Sequence, residues 1–295
     1  MDLKLLSSEK NYEYRKKQYD YVDKREKNYN SVDKKNNSSN IIFKSIIAIT
    51  MILVVAFMIL AVGCLLLRGM PNLIENLKKP EIRFSIRLSL ITSCISTIIC
   101  VLVAIPVSYG ITRFNFTGKR IVELILDLPL ALPPIVSGLA LLILFGNSSF
   151  GRFMEKIGFP VVFTVRGIVL AQFFVNLPNM IKILKAAFYD IDPRIENVSR
   201  TLGLNSMQTF FKVTLPLARN NIIASLVITW ATSLGQFGAV VMIAGATRMK
   251  TEVLPISVYL NMSCGEIDVA LASASILIII STACLFIFQL LQKNK

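Results

Sequence analysis

Acid–base, nucleophilic and metal chemistry all need titratable groups gathered at one point, and this chain keeps such groups apart. Its 295 residues include no histidine, and its 18 Asp and Glu form no cluster suited to general acid–base work. The five cysteines, Cys64, Cys94, Cys100, Cys264 and Cys284, stand singly with no C-x-x-C pair. Neither a zinc nor a haem site is expected, nor a disulfide framework, nor any cofactor in this chain. The phosphate-cradling pattern G-x-x-x-x-G-K-[ST] does not occur, because the nearest Gly-Lys, Gly118-Lys119, is followed by Arg120. The chain is therefore expected not to be an enzyme and not to hydrolyse ATP unaided.

Two segments carry more information. The first is Asp127-Leu128-Pro129-Leu130-Ala131-Leu132-Pro133-Pro134, followed by Gly138. Proline lacks an amide hydrogen and clashes with the preceding turn, so a helix must bend or break here. Carbonyls freed by such a break are tolerated inside a bundle or beside a watery cavity, and a packing kink is the competing explanation. Asp127 is expected at a headgroup boundary, beside Lys119 or Arg120. The second segment is the polar stretch Asp190 to Arg219. Asp192 can cap a helix whose first residue is Pro193, and Ile195, Val198 and Leu202 then share one face. Arg194, Asn197 and Thr201 lie opposite. Gly203 suits a left-handed C-terminus, Ser206 can cap a second short turn, and Pro216 is expected to stop it. This helix, glycine corner and second helix form a shape that another protein could grip.

The elements holding these segments are long apolar runs. Apolar residues make up 54% of the chain, and its mean hydropathy is +0.61. Six runs are nearly free of charge: residues 45–67, 88–112, 128–151, 167–181, 220–247 and 269–292. Five exceed the roughly 20 residues that cross a bilayer as helix, and the fourth spans if Lys182 and Lys185 snorkel. Backbone amides must be paired within each segment in lipid, and the alternation of an outer-membrane barrel is missing. The expected fold is an all-α integral membrane protein with about six transmembrane helices. Residues 1–40 read as a polar tail, 41–84 as the first span and a loop, and 85–292 as a core of five spans with the loop 190–219. Basic residues concentrate in the tail and from Lys182 to Arg219, which favours both termini and that loop on the cytoplasmic side of a cell membrane. The formal charge of +14 then reflects topology and contact with lipid, and nucleic acid is not an expected partner.

The polar loop resembles that of permeases of ATP-binding-cassette importers, which carry E-A-A, three residues, G, nine residues, and I-x-L-P. The matching residues are Asn197-Val198-Ser199, Gly203 and Val213-Thr214-Leu215-Pro216, with both spacings kept. Asn197 stands where the family has glutamate, and Glu196 comes one residue early. Arg200-Thr201-Leu202-Gly203, Leu234-Gly235-Gln236-Phe237-Gly238-Ala239 and Leu254-Pro255-Ile256 are similar to the molybdate and sulfate branch, in which glutamate usually occupies the place of Gln236. The resemblance covers residues 85–292.

It implies a type I importer permease whose loop residues, Glu196, Asn197, Val198, Ser199, Gly203, Val213, Leu215 and Pro216, receive a separate cytoplasmic ATPase. It also implies two facing permeases, expected as a homodimer, and an extracytoplasmic oxyanion-binding protein. Facing permeases would line the path with the third and fifth spans, through Pro133, Pro134, Gly138, Thr229, Thr232, Ser233 and Gln236. The expected cargo is molybdate or tungstate, with sulfate or thiosulfate as the alternative. An ion-coupled secondary transporter is the rival of another class. It normally needs charged midspan sites, whereas the midspan polar residues Gln172, Asn176, Asn179 and Gln236 are uncharged.

Overall fold

The computed structural model describes residues 43–71 and 73–293, with side chains to residue 286. The tail expected over residues 1–40 lies outside them. Every element described is helical. Four helices are long and apolar enough to cross a membrane, and six spans result if each of two bent pairs counts as one. The first unit of the chain ends at Cys64 and contains most of α1 (Phe43–Gly69), whose side chains from Phe43 to Leu60 are exposed.

The second unit, Leu65–Lys295, holds the remaining elements. A short α2 (Leu73–Leu77) leads to α3 (Pro80–Arg113), which starts with proline in its first turn. α3 packs most extensively against α7 (Val165–Tyr189), the central helix of the unit. Residues 167–181, expected as a short span, belong to this 25-residue helix. At its polar end Leu184, Ala187 and Phe188 are buried, while Lys182 pairs with Asp127 at 3.3 Å and Lys185 with Glu123 at 2.8 Å. Asp127 thus pairs across helices rather than with its own neighbours, Lys119 or Arg120.

The third and fifth runs are not continuous helices. α4 (Lys119–Ala131) and α5 (Pro134–Leu142, continued as a π turn, Ile143–Asn147) meet at 109° across Leu132-Pro133. α10 (Leu215–Leu234) and α11 (Gly238–Ala244) meet at 59° across residues 235–237. Two further helices occupy what sequence placed in loops. α6 (Ser149–Lys156) is capped by Ser148, and α12 (Leu254–Ser263) buries Leu254, Ile256 and Ser257 before α13 (Ile267–Lys293). Cores form where α3 meets α7 and α10, around Leu184 and Phe188, and where α5, α7 and α11 converge, around Ile168 and Val240.

Candidate functional site

The segment after α7 folds as its punctuation suggests. The Asp192 carboxylate accepts from the Arg194 N–H at 2.9 Å, and Pro193 begins α8 (Pro193–Thr201). Gly203 takes φ +93°, while the Gly203 and Leu204 N–H groups close on the carbonyls of Arg200 and Ser199. Asn205, rather than Ser206, caps α9 (Ser206–Thr209) in a reciprocal capping box with Gln208. A π turn, Phe210–Thr214, then leads directly into α10. Pro216 stops nothing: the helix runs on from Ser206 to Leu234, with the π turn Phe210–Thr214 immediately before the proline.

The orientation of α8 is decided by its carboxylate. Glu196 is 3% exposed, and its Oε1 accepts from Arg113 Nε at 2.9 Å and from Thr214 Oγ1 at 3.0 Å. Tyr109 donates to Oε2 at 3.4 Å, and Arg113 Nη2 also donates to the Ile191 carbonyl at 2.8 Å. Ser199 and Thr209 share a hydrogen bond at 3.0 Å behind the same face. The end of α3, the start of α8 and the start of α10 are thereby tied at one buried ion pair. A buried carboxylate requires such partners, because leaving one unpaired in a low-dielectric interior costs several kcal/mol.

Turning Glu196 and Ser199 inward turns the apolar stripe outward. Ile195, Val198 and Leu202 are exposed, Leu202 by 80%. Asn197, at the family's glutamate position, is exposed beside them, as are Gly203 and Pro216, while Val213 and Leu215 are half-buried. The face thus combines apolar side chains with a rigid backbone at one end of the bundle. Sequence reading named Glu196 but missed Arg113, Tyr109 and Thr214. Their only signal was an arginine closing an apolar run and a threonine inside the loop motif.

The two helix breaks lie against each other. A Cβ on Gly138 would come within 2.6 Å of the Ala239 carbonyl oxygen and 2.8 Å of the Met242 Cβ. One on Gly238 would sit 3.2 Å from both the Ile135 nitrogen and the Pro134 Cβ. Beside this crossing, uncharged side chains join α7 to α10. Gln172 Nε2 donates to the Ser233 carbonyl at 2.9 Å, Asn176 Nδ2 to Ser233 Oγ at 3.0 Å, and Thr232 Oγ1 to Asn176 Oδ1 at 2.8 Å. The path candidates therefore divide. Gly138, Thr229 and Ser233 are buried in this chain, with Ser233 accepting from α7. Pro133, Pro134 and Thr232 are exposed and Gln236 is half-buried. Among the described residues no group of His, Cys, Asp and Glu is arranged to hold a metal ion.

Comparison with known proteins assigns the chain to a family. Residues 96–294 match the family described as binding-protein-dependent transport system inner membrane component. The probable transport system permease protein NifC of Clostridium pasteurianum is 31% identical, over 85% of this chain and 88% of the relative. The molybdenum transport system permease protein ModB of Mycobacterium tuberculosis is 34% identical, over 68% and 76%. The sulfate transport system permease protein CysT of Escherichia coli is 29% identical, over 75% and 80%. Among solved structures, a chain of a bacterial alginate ABC transporter in complex with an alginate-bound periplasmic protein superposes with a TM-score of 0.70. The identity is 15%, and 86% of this chain and 94% of that one are covered. A chain of the MetNI methionine ABC transporter gives 0.55 at 18% identity, over 71% and 94%.

Proposed function

The chain belongs to the family of inner membrane components of binding-protein-dependent transport systems, and we propose that its α8 face receives the ATPase that drives it. It is a multi-pass ABC importer permease. The observation carrying the coupling role is the inward Glu196 and the outward Ile195, Val198 and Leu202 on one pinned helix. An exposed apolar cluster on a rigid end of a membrane bundle suits protein contact, because burying such side chains supplies about 25 cal/mol per Å2. Motion of a docked ATPase would pass through Arg113–Glu196 into α3 and through Thr214 into α10. In this reading the loop and both termini are cytoplasmic.

The cargo we propose is molybdate or a similar tetrahedral oxyanion such as tungstate. Its path runs between two copies of this chain and is supplied by an extracytoplasmic binding protein. The exposed Pro133, Pro134 and Thr232 with half-buried Gln236 would face the path, and Gly138, Thr229 and Ser233 would hold its wall together. Neutral donors suit a conduit that must release a dianion. Sulfate is the second reading, favoured by the similarity to CysT of Escherichia coli.

Leu202→Asp tests the coupling assignment. It removes apolar area and adds a charge without touching the Glu196 contacts. The expected result is a fall of about tenfold or more in co-purification of the partner ATPase, the effect of losing roughly 1.4 kcal/mol, with the permease still in the membrane. Undiminished ATPase retention and undiminished uptake would reject the assignment.

A further inference from the structure

Away from the loop and the breaks, a groove of about 440 Å3 lies on α3 and α7. Ile95 and Ile99 come from α3, Val169 and Phe173 from α7, and Phe145 and Phe159 from the connecting segment. Every residue lining it is apolar except Arg166. The groove therefore begins near the middle of α3 and ends at the first turn of α7, the end of that helix remote from the Pro193–Thr214 loop. Arg166 is held at that end by two contacts. Its guanidinium carbon lies 4.4 Å from the centre of the Phe159 ring, and Nη1 donates to the Gly158 carbonyl at 3.1 Å. That bond uses one of the five N–H groups a guanidinium carries.

The neighbouring α6 has the character of a helix lying in a membrane interface. Phe150 and Phe153, with Ile157 just beyond its end, are exposed, and so are Arg152, Glu155 and Lys156, two cations to one carboxylate. Aromatic and basic side chains on one short helix suit the boundary between headgroups and acyl chains. Basic residues at such a surface attract anionic lipid.

We propose that the groove seats one acyl chain of an anionic phospholipid whose phosphate is bound by Arg166. Two observations select this occupant. The lining is apolar apart from one cation, and that cation, Arg166, stands at one end of the groove against Gly158 and Phe159, directly after α6. A single acyl chain is slender enough for the groove. A lipid so placed would brace the segment from Phe145 to Phe159 against the central helix pair.

The test is native mass spectrometry of the purified protein, with its partner subunits, from nanodiscs of equal phosphatidylglycerol and phosphatidylcholine. The wild type is expected to retain phosphatidylglycerol in preference. Arg166→Ala should lower that retention about fivefold, and Arg166→Lys should restore part of it. Ile99→Trp, which fills the groove from an exposed position, should lower retention of both lipids. The proposal fails if Arg166→Ala retains phosphatidylglycerol as the wild type does. It fails equally if Ile99→Trp leaves the lipid count unchanged. A change in the number of protomers in place of the lipid count would also overturn it, since a second copy would then occupy the groove.

Discussion

At the scale of single residues, Glu196 and Arg113 decide which way the loop faces. Removing one partner strands the other charge in the interior, at a cost of about 3–5 kcal/mol. Arg113→Ala is therefore expected to lower thermal stability and to release the loop. The double variant Arg113→Met with Glu196→Leu should recover much of that stability, since no buried charge remains. Thermal unfolding of the three purified proteins checks this, and equal stability of wild type and Arg113→Ala would show that the pair is not structural. Part of this site is legible in sequence. Asp192, Pro193 and Gly203 act through local backbone geometry, and each stands where its capping chemistry predicts. The ion pair spans 83 residues, so no local pattern reveals it. The direction of the apolar stripe was hidden for the same reason. Periodicity groups Ile195, Val198 and Leu202 on one face and Arg194, Asn197 and Thr201 opposite, but only the distant Arg113 and Thr214 determine that the side carrying Glu196 and Ser199 is the buried one.

At the scale of elements, the protein is shaped by where helices stop. Hydropathy gives residues 128–151 and 220–247 as continuous apolar runs, and each contains a sharp break. The first was legible, because Pro133 and Pro134 forbid a regular helix. The second has no proline and turns at Gly235, Gln236 and Phe237, where glycine alone is a weak signal. The α12 helix escaped notice because Leu254–Ser263 is too short to register as a span and lies between charged residues. Gly138 marks the tighter of the two glycine contacts between the broken elements. Gly138→Leu would push α5 from α11 against backbone atoms, which cannot yield as a flexible side chain does. Overpacking of this kind typically costs about 1–3 kcal/mol. The expected outcome is a lower unfolding temperature in detergent with insertion into the membrane preserved. Gly146→Leu is the comparison, since a Cβ there meets only side-chain carbons at 3.7 Å. Equal effects at both positions would mean that the α5–α11 crossing is not a constraint.

At the scale of the whole molecule, the chain is a membrane permease whose sequence carries no G-x-x-x-x-G-K-[ST] motif. Its long helices cross the membrane, its two broken elements abut beside an uncharged polar network, and its loop presents a rigid apolar face. Membership of the ABC importer permease family was legible from the loop spacing and its flanks. Cargo was not: the relatives include both molybdenum and sulfate permeases, which share the same loop and flanks. The most direct measurement is uptake of labelled molybdate and sulfate into vesicles reconstituted with this chain, its ATPase and its binding protein. Our account predicts accumulation of molybdate only when hydrolysable ATP is supplied on the side of the α8 face. It further predicts that Leu202→Asp reduces this uptake about tenfold or more, in step with ATPase loss. Uptake driven by an imposed ion gradient in vesicles containing this chain alone would contradict it.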